Sequence, residues 1–259
     1  MTAELISIRE ERSWSRTRLG AAIGKHANTI RGWEIGDRLP DKANVALICR
    51  TLQVAPARGA FLEHVIEQLN EGPDLISDLG KRNLFIVESA ERHYGEIIKW
   101  DPLQLSGLSQ TEDYHMKELA DPLEGPAFKI KHWLRKQRRQ VDFFGRSDAP
   151  QTKFLQPVDE VMGLKRLTKT ERKAQIDRLL EIDNLPNCEV FVVQRPYIAT
   201  HAFEIFRPGR RPGAGPDFVF VETLDQSRHI VEPEKIALYD RFSSVMLDDA
   251  SRIGRFLDG

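Results

Sequence analysis

The sequence predicts a mixed fold, with a small all-α domain at the N-terminus and a larger α+β domain behind it. Apolar residues recur at helical spacing through the first 70 residues, whereas four segments between Cys188 and Glu232 alternate apolar and polar residues with the period of a β-strand. Between these regions lies EGPD at residues 71–74, a cluster of turn-forming residues. A chain of 259 residues has room for two ordinary domains. We therefore predict domains at residues 1–72 and 73–259.

The N-terminal domain is predicted to contain five helices, at about residues 4–12, 15–23, 27–35, 41–52 and 56–69. Ser15 and Asp41 suit the N-caps of the second and fourth helices, because their side-chain oxygens can accept a hydrogen bond from an amide one turn in. Gly24 and Gly36 are expected to end the second and third helices, since glycine adopts left-handed backbone angles at little cost. His26 leaves the third helix with a weak predicted N-cap.

Residues 15–40, SRTRLGAAIGKHANTIRGWEIGDRLP, predict two short helices joined by a tight turn. Ile30 and Trp33 lie three residues apart and are expected to point inward, which leaves polar residues on the outer face of the second helix. A helix with such a face can enter the major groove of DNA. From Thr2 to Val54 the formal charge is +3, against −1 for the whole chain, so this segment has the sign that phosphate contact requires.

This segment is similar to the phage-repressor-like helix-turn-helix regulators of the xenobiotic-response-element (XRE) type. The shared pattern covers about residues 3–70 and consists of an aliphatic-Gly turn followed by Thr29-Ile30, Trp33-Glu34, Gly36 and Pro40. The resemblance implies a lambda-repressor-like helical bundle, DNA binding, and an ion pair between Arg9 and Glu34 that ties the first helix to the recognition helix. Gly20 departs from the pattern, because the family usually has alanine there.

The predicted DNA-binding residues lie on the recognition helix, beside it, or at the start of the preceding helix: Arg16, Lys25, Ala27, Asn28, Thr29, Arg31, Gly32 and Arg38. Asn28 offers the bidentate contact that reads adenine, and Arg31 offers one to guanine or to a phosphate. Arg16 is placed for a phosphate. Ala27 can meet a thymine methyl group, and Gly32 permits close approach. The alternative interpretation is a helical bundle that mediates assembly and has lost DNA binding.

For the C-terminal domain we predict a helix over about residues 75–99, broken near Gly80 or Asn83, and an ordered loop over 100–111. Helices are expected at about 112–119, 128–144, 158–164 and 170–181. Strands are expected in CEVFVVQ, AFEIFR, DFVFVET and RHIVE, separated by turn residues that include those at 207–209 and 212–216. A last helix is predicted from Pro233 to about Phe256.

The C-terminal region resembles the domain of unassigned biochemistry that follows the helix-turn-helix in actinobacterial WhiJ-like, antitoxin-like regulators. The similarity covers about residues 88–257 and is carried by SGLSQTEDY at 106–114, RRQ at 138–140, Asp159-Glu160, FVFVE at 218–222 and YDRF at 239–242. This resemblance implies control by a small protein partner, in a toxin–antitoxin-like pair that regulates its own operon.

A basic segment at residues 129–139 holds six cations and no acidic residue. On a helix, the apolar residues of this region form a stripe with the cations opposite: Ile130, Trp133, Leu134 and Val141. One interpretation is a solvated helix face. The other is a second contact to the phosphate backbone or to an acidic partner.

The sequence predicts neither an enzyme nor a metal site or cofactor. Its seven histidines are scattered, the glycines at 209–215 lack the GK[ST] of a phosphate loop, and no GxSxG occurs. Cys49 and Cys188 are expected to be buried free thiols in a reducing compartment. The N-terminus lacks the regions of a secretory signal, and the apolar runs are too short to span a bilayer, so we expect a cytoplasmic protein.

Together these features predict a sequence-specific, DNA-binding transcriptional regulator whose C-terminal domain receives a signal. The favoured signal is the small protein partner; a small-molecule sensor and a chiefly neutralising, antitoxin-like protein are the alternatives. An apolar cavity with few polar groups in the strand-rich region would favour the sensor. We expect a homodimer on double-stranded DNA, because one short recognition helix offers few base contacts. The sequence does not specify the operator, the effector, the sign of regulation or the dimer interface.

Overall fold

The computed structural model describes residues 1–71, 75–77, 84–119, 125–199, 201–210, 214–223 and 227–259. The chain divides into two compact units, one made of Met1–Ile97 with Ile205–Tyr239 and the other of Ile98–Glu204 with Asp240–Gly259. The boundary predicted between residues 72 and 73 lies outside the described residues, as do Gly80, Asn83 and part of the turn predicted at 212–216. That boundary therefore stays a prediction.

Residues 1–71 form five helices, and this confirms the predicted all-α N-terminal region. They are α1 (Thr2–Glu10), α2 (Arg16–Ala22), α3 (Ala27–Ile35), α4 (Lys42–Thr51) and α5 (Pro56–Glu71). Their inward faces share one apolar core, to which all five helices contribute: Leu5, Ile8, Leu19, Ile23, Ile30, Trp33, Val45, Ile48, Leu52, Leu62 and Ile66. Burial of this core is the main force that holds such short helices together.

The helix ends follow from local sequence. The Ser15 side chain accepts a hydrogen bond from the Arg18 amide, and Asp41 accepts one from Asn44 at 2.7 Å. Gly24 and Gly36 have φ angles of +69° and +82°, which glycine tolerates better than other residues. The N-cap of α3 is stronger than predicted, because Nδ1 of His26 accepts from the Asn28 amide at 3.2 Å.

Packing explains why glycine stands at position 20, where XRE-type regulators usually have alanine. A Cβ at Gly20 would lie 2.5 Å from the carbonyl oxygen of Lys25. The Lys25 amide also donates to the Gly20 carbonyl at 2.8 Å. The turn between α2 and α3 therefore lies directly against α2, and the absence of a side chain permits this approach.

The remaining described residues contain strands and helices, which confirms the α+β class. The strands are β1 (Leu75–Ser77), β2 (Glu96–Trp100), β3 (Gln151–Pro157), β4 (Cys188–Val193), β5 (Ala202–Arg207), β6 (Phe218–Glu222), β7 (Ser227–Ile230) and β8 (Ala250–Arg252). The helices are α6 (Leu84–His93), α7 (Glu112–Lys117), α8 (Pro126–Phe144), α9 (Val158–Gly163), α10 (Lys169–Asp183), α11 (Pro233–Asp248) and α12 (Ile253–Asp258).

In the first unit the strands pair in the order β1-β7-β6, and in the second in the order β3-β4-β8. β3 and β4 pair in parallel, with Phe154 beside Val190. Three other pairs are antiparallel: β1 with β7, β6 with β7, and β4 with β8. In the β6–β7 pair, Phe220 lies opposite His229, a register that brings an imidazole among aromatic side chains.

Two predicted helices are wrong in part. Among the described residues of the helix expected over 75–99, only Leu84–His93 are helical, and Leu75–Ser77 and Glu96–Trp100 are strands. In β2 the β-branched residues Ile97 and Ile98 favour extended backbone. The last helix ends at Asp248 instead of about Phe256, because Ala250–Arg252 pair with β4 before α12 begins.

The two cysteines are buried free thiols, as predicted. Burial raises the pKa of Cys49 to about 11 and that of Cys188 to about 12, so both thiols stay protonated at neutral pH. None of the described helices is long and apolar enough to cross a bilayer.

Candidate nucleic-acid interface

The recognition helix α3 has an inner face that packs into the helical core and an outer face that is exposed. Ile30 and Trp33 are buried in the helical core, as predicted from their spacing. Asn28 and Arg31 are exposed, and Thr29 is half-buried. Because the buried side is fixed by packing, the two exposed side chains hold a defined place on the helix surface. This is the arrangement that direct reading of base edges needs.

Three exposed cations surround this face. Lys25 precedes α3, Arg31 lies on it, and Arg38 follows it. Within the described part of the chain, none of these three side chains makes an ion pair or a hydrogen bond. Their charges are therefore available to an external anion such as a phosphate group.

Gly32 and Ala27 occupy less exposed positions than the cations. Gly32 is buried, and a Cβ there would lie 3.0 Å from Nε of Arg38. The missing side chain thus leaves room for the Arg38 side chain to lie across the helix. Ala27 is half-buried at the first turn of α3.

Glu34 joins three helices from the inner side of α3. Its side chain is 1% exposed. Nε of Arg9 in α1 lies 2.6 Å from Oε1 of Glu34, and Nε of Arg16 in α2 lies 2.6 Å from Oε2. Nη1 of Arg9 also donates to the Trp14 carbonyl at 2.8 Å. Each carboxylate oxygen thus has a cationic donor, so the carboxylate fixes α3 against both preceding helices.

The contact between Arg16 and Glu34 was not predicted from the sequence. Arg16 is half-buried, and its Nε donates to Glu34, while its Nη atoms have no hydrogen-bond partner within the described residues. A contact of Arg18 with Trp14 was missed as well: the guanidinium carbon lies 4.3 Å from the ring centroid. Nε of Arg12 donates to the Leu52 carbonyl at 2.8 Å and thus stabilises the helical bundle.

The basic helix α8 differs from its predicted arrangement. Of the expected apolar stripe only Trp133 is buried, whereas Ile130, Leu134 and Val141 are exposed, Val141 by 67%. The opposite, inner face is partly polar. Nε2 of Gln140 donates to the carbonyls of Gly107 and Gln110, both at 2.9 Å. The prediction was wrong because the polar loop at 101–111 needs hydrogen-bond donors from α8.

Two cations of the basic segment also face inward. Nζ of Lys129 donates to the Met116 carbonyl at 2.6 Å. Nζ of Lys136 donates to Oε1 of Gln110 and lies 3.1 Å from Nδ1 of His115. Burial, with the nearby charge of Arg139, lowers the pKa of Lys136 to about 8. These lysines are therefore not part of a solvated cationic face.

Two parts of the chain match known families. Residues 87–253 match the family described as "Domain of unknown function (DUF5753)", which spans more than half of the chain. The chain belongs to the DUF5753 family. Residues 5–58 match the family described as "Helix-turn-helix". This match covers α1 to α4, so this DUF5753 protein is a DNA-binding transcriptional regulator of the XRE type. Neither the curated proteins nor the solved structures gave a match.

Within the described part of the chain, no group of three or more histidine, cysteine, aspartate or glutamate side chains is arranged to hold a metal ion. The candidate site of this DUF5753 protein thus consists of the outer face of α3 with its flanking cations. All eight predicted DNA-binding residues lie on or beside α2 and α3 in the structure.

Proposed function

We propose that this protein reads a specific operator through the outer face of α3. The observation that carries this proposal is the contrast between the two faces of that helix: Asn28 and Arg31 are exposed, while Glu34 is held by two guanidinium groups. In this proposal Asn28 reads an adenine and Arg31 reads a guanine or holds a phosphate. Lys25, Arg38 and the free edge of Arg16 position the motif on the backbone.

The preorganisation of α3 supports sequence-specific binding rather than nonspecific electrostatic attraction to DNA. The inner side of α3 is tied to α1 and α2 by hydrogen bonds of 2.6 Å, so the helix itself needs little ordering when DNA binds. A rigid helix of this kind discriminates between bases, because a mismatched base leaves its hydrogen-bonding groups unpaired.

We further propose that the protein acts as a homodimer in the cytoplasm and carries out no catalysis of its own. A single module of this size buries only about 600–1,000 Å² on DNA. Selection of one site in a genome needs about 10³–10⁷-fold preference over random sequence, and two linked half-sites supply it more readily than one.

A small acidic protein is the proposed partner, which would place the protein in a toxin–antitoxin-like, self-regulating operon of the WhiJ-like kind. The support is the resemblance of residues 88–257 together with the outer face of α8. There Ile130, Leu134 and Val141 are exposed beside two exposed cations, Lys131 and Arg138. An apolar stripe flanked by cations suits an amphipathic helix with acidic edges.

Selection of duplexes from a random library by the full chain tests the proposed DNA reading. We expect enrichment of a near-palindromic motif whose half-sites lie about one helical turn apart or a multiple of that. A selected pool that binds no better than the starting library would contradict sequence-specific reading.

The partner is tested separately, by co-expression with any small acidic protein that the neighbouring genes encode. Leu134→Asp should abolish co-purification with that protein, whereas Leu238→Asp, on the exposed face of α11, should preserve it. Equal capture by both variants would reject α8 as the docking surface.

A further inference from the structure

An apolar cavity of about 240 Å³ lies within the first compact unit, next to the end of the recognition helix. Its walls come from α1, α5, α6, the segment after α3, and strands β6 and β7. Six of its lining residues matter here: Thr2, Gly36, Leu39, Tyr94, Phe218 and His229. The cavity therefore touches both the DNA-reading motif and the strand-rich region.

Among the described lining residues, His229 is the one with a buried polar side chain that lacks a hydrogen-bond partner. The side chain is 6% exposed, and neither Nδ1 nor Nε2 has a hydrogen-bond partner in the described structure. Its ring lies among aromatic rings, with centroids 6.0 Å from Phe218 and 5.1 Å from Phe220. A buried polar group without a partner is unfavourable, so its presence points to a ligand that supplies one.

The protonation state of His229 defines what that ligand can offer. Burial lowers the pKa of His229 to about 3, so the ring is neutral at physiological pH. A neutral imidazole presents one N–H donor and one nitrogen acceptor. A hydroxyl group can pair with either nitrogen, and a carbonyl group can accept from the N–H.

The rest of the lining restricts the ligand further. The Tyr94 hydroxyl already donates to the Pro216 carbonyl at 2.7 Å, and its oxygen is hydrogen-bonded to the Thr2 side chain and the Gly215 backbone, so its hydrogen bonds are already made within the protein. The lining contains no Asp, Glu, Lys or Arg side chain, and its one cationic group is the N-terminal amine of Met1, which acts on His229. Burial lowers the pKa of this amine and so disfavours its charged form, and a cavity of this kind favours an uncharged ligand. The volume is below the usual range for drug-sized ligands, which is about 300–1,000 Å³.

We propose that this cavity binds a small, uncharged, mainly apolar molecule with one hydroxyl or carbonyl group, and that its occupancy controls DNA binding. The second half of this inference rests on the proposed operator-binding function. The first half stands on the cavity and on His229 alone.

Gly36 connects the cavity to α3. It is the left-handed C-cap of that helix, with φ at +82°, and it lines the cavity together with Leu39. A Cβ at Gly36 would lie 3.4 Å from Cγ2 of Thr2 and 3.5 Å from Cδ of Pro216. The end of the recognition helix thus packs between α1 and the segment before β6. A ligand held against these walls bears directly on the placement of α3.

Calorimetric titration of the DNA-free, full-length protein tests the site, with 4-methylphenol, toluene and 2-naphthol as probes. We expect both phenols to bind with a stoichiometry of one. 4-Methylphenol should bind about fivefold more tightly than toluene, because only the phenol can pair with His229. Absence of binding by both phenols would overturn the proposal and leave buried water as the partner of His229.

Two variants and a matched control assign the binding to this cavity. His229→Phe keeps a flat ring but removes both nitrogens, so 4-methylphenol and toluene should bind equally well. Val231→Phe fills the cavity from its half-buried edge and should weaken all three probes at least tenfold. Val245→Phe, the same change on the exposed face of α11, should bind every probe like the wild type. If Val231→Phe bound the probes unchanged, the cavity would not be their site.

The proposed control of DNA binding is tested by thermodynamic linkage between ligand binding and operator binding. Saturating 4-methylphenol should change the Kd for the selected operator at least fivefold, and operator DNA should change the Kd for the phenol by the same factor. If the phenol bound without changing operator affinity, the proposed control of DNA binding would be rejected, while the proposed ligand site would stand. Phenol binding by a protein that selects no operator would overturn the proposed function instead.

Discussion

Nε of Arg16 lies 2.6 Å from Oε2 of Glu34, so a residue expected on the DNA backbone also holds the recognition helix in place. The two roles are compatible, because the contact uses Nε and leaves the two Nη atoms of the fork for a phosphate. Glu34 thereby links the phosphate-binding edge of α2 to the base-reading face of α3. The orientation of the recognition helix and the contact to the backbone are expected to be coupled.

Replacement of Arg16 tests this double role. Arg16→Ala should weaken binding to all DNA sequences and reduce the slope of log K against log salt concentration by about 0.9, as the loss of one phosphate contact predicts. Because the variant also removes a Glu34 contact, base discrimination should decline as well. Fluorescence anisotropy at several salt concentrations measures both effects. Lys173→Ala, an exposed cation of α10, serves as the control and should keep the wild-type slope.

The pair formed by Arg9 and Glu34 should matter more for folding than for DNA contact. Both side chains are buried, and removal of Arg9 leaves Oε1 of Glu34 without its cationic donor while Arg16 still holds Oε2. We expect Arg9→Ala to lower the free energy of unfolding by about 3 kcal/mol, the lower end of the range for a broken buried pair. Urea unfolding followed by circular dichroism measures this. Lys173→Ala, which breaks an exposed pair with Asp177, should leave the unfolding free energy within experimental error. A similar loss in both variants would show that burial of the pair is not decisive.

Asn28 should carry base specificity. The side chain is exposed on α3, and its own backbone amide is held by the His26 cap, so truncation at Cβ leaves the helix intact. Asn28→Ala should cost about 1–3 kcal/mol on the selected operator and relax the preference at one base position. Competition assays with single-base operator variants measure this. Equal losses on operator and random DNA would mean that Asn28 does not read a base.

The helix-turn-helix could be predicted from the sequence because local rules determine it. Ser15, Gly24, Gly36 and Asp41 each mark a helix end through their own side chain or backbone freedom, and the structure confirms all four. Ile30 and Trp33 lie three residues apart and are both buried, and their position determines which face of α3 is exposed. No distant partner is needed for these predictions.

The missed elements depend on distant partners. β3 was not predicted because Phe154 and Leu155 are both fully buried, so the strand shows no alternation between a buried and an exposed face. β8 is three residues long and exists through its pairing with β4. Likewise, the polar inner face of α8 follows from the loop carbonyls that Gln140 satisfies. His229, the key residue of the cavity, carried no sequence signal beyond its place in a predicted strand.

The buried state of His229 predicts a pH dependence of stability. Its pKa is lowered by burial to about 3, whereas an exposed histidine titrates near 6.5. Between these values the unfolded chain binds one more proton than the folded chain, so stability should fall as the pH is lowered from about 6.5 towards 3. The slope from this residue is at most about 1.4 kcal/mol per pH unit.

Two variants isolate this contribution. His229→Phe should flatten the loss of stability between pH 6.5 and 4 in urea titrations. His201→Phe replaces an exposed histidine and should retain the wild-type pH profile. If His229→Phe and the wild type showed parallel profiles, His229 would not be the neutral, buried group that the cavity proposal requires.

The last prediction concerns the number of protein copies on DNA. Within the described residues one helix-turn-helix is present, at α2 and α3, so a second reading helix has to come from another copy of the chain. Two copies related by two-fold symmetry require an operator with inverted half-sites, and the distance between the two α3 helices sets the half-site spacing. Sedimentation should give a complex of two chains per operator, and footprinting should show symmetric protection.

Insertion of five base pairs between the half-sites rotates them to opposite faces of the duplex and should reduce affinity to that of one half-site, whereas insertion of ten should cost less. A single chain that protects one asymmetric half-site, with no effect of either insertion, would reject the dimer.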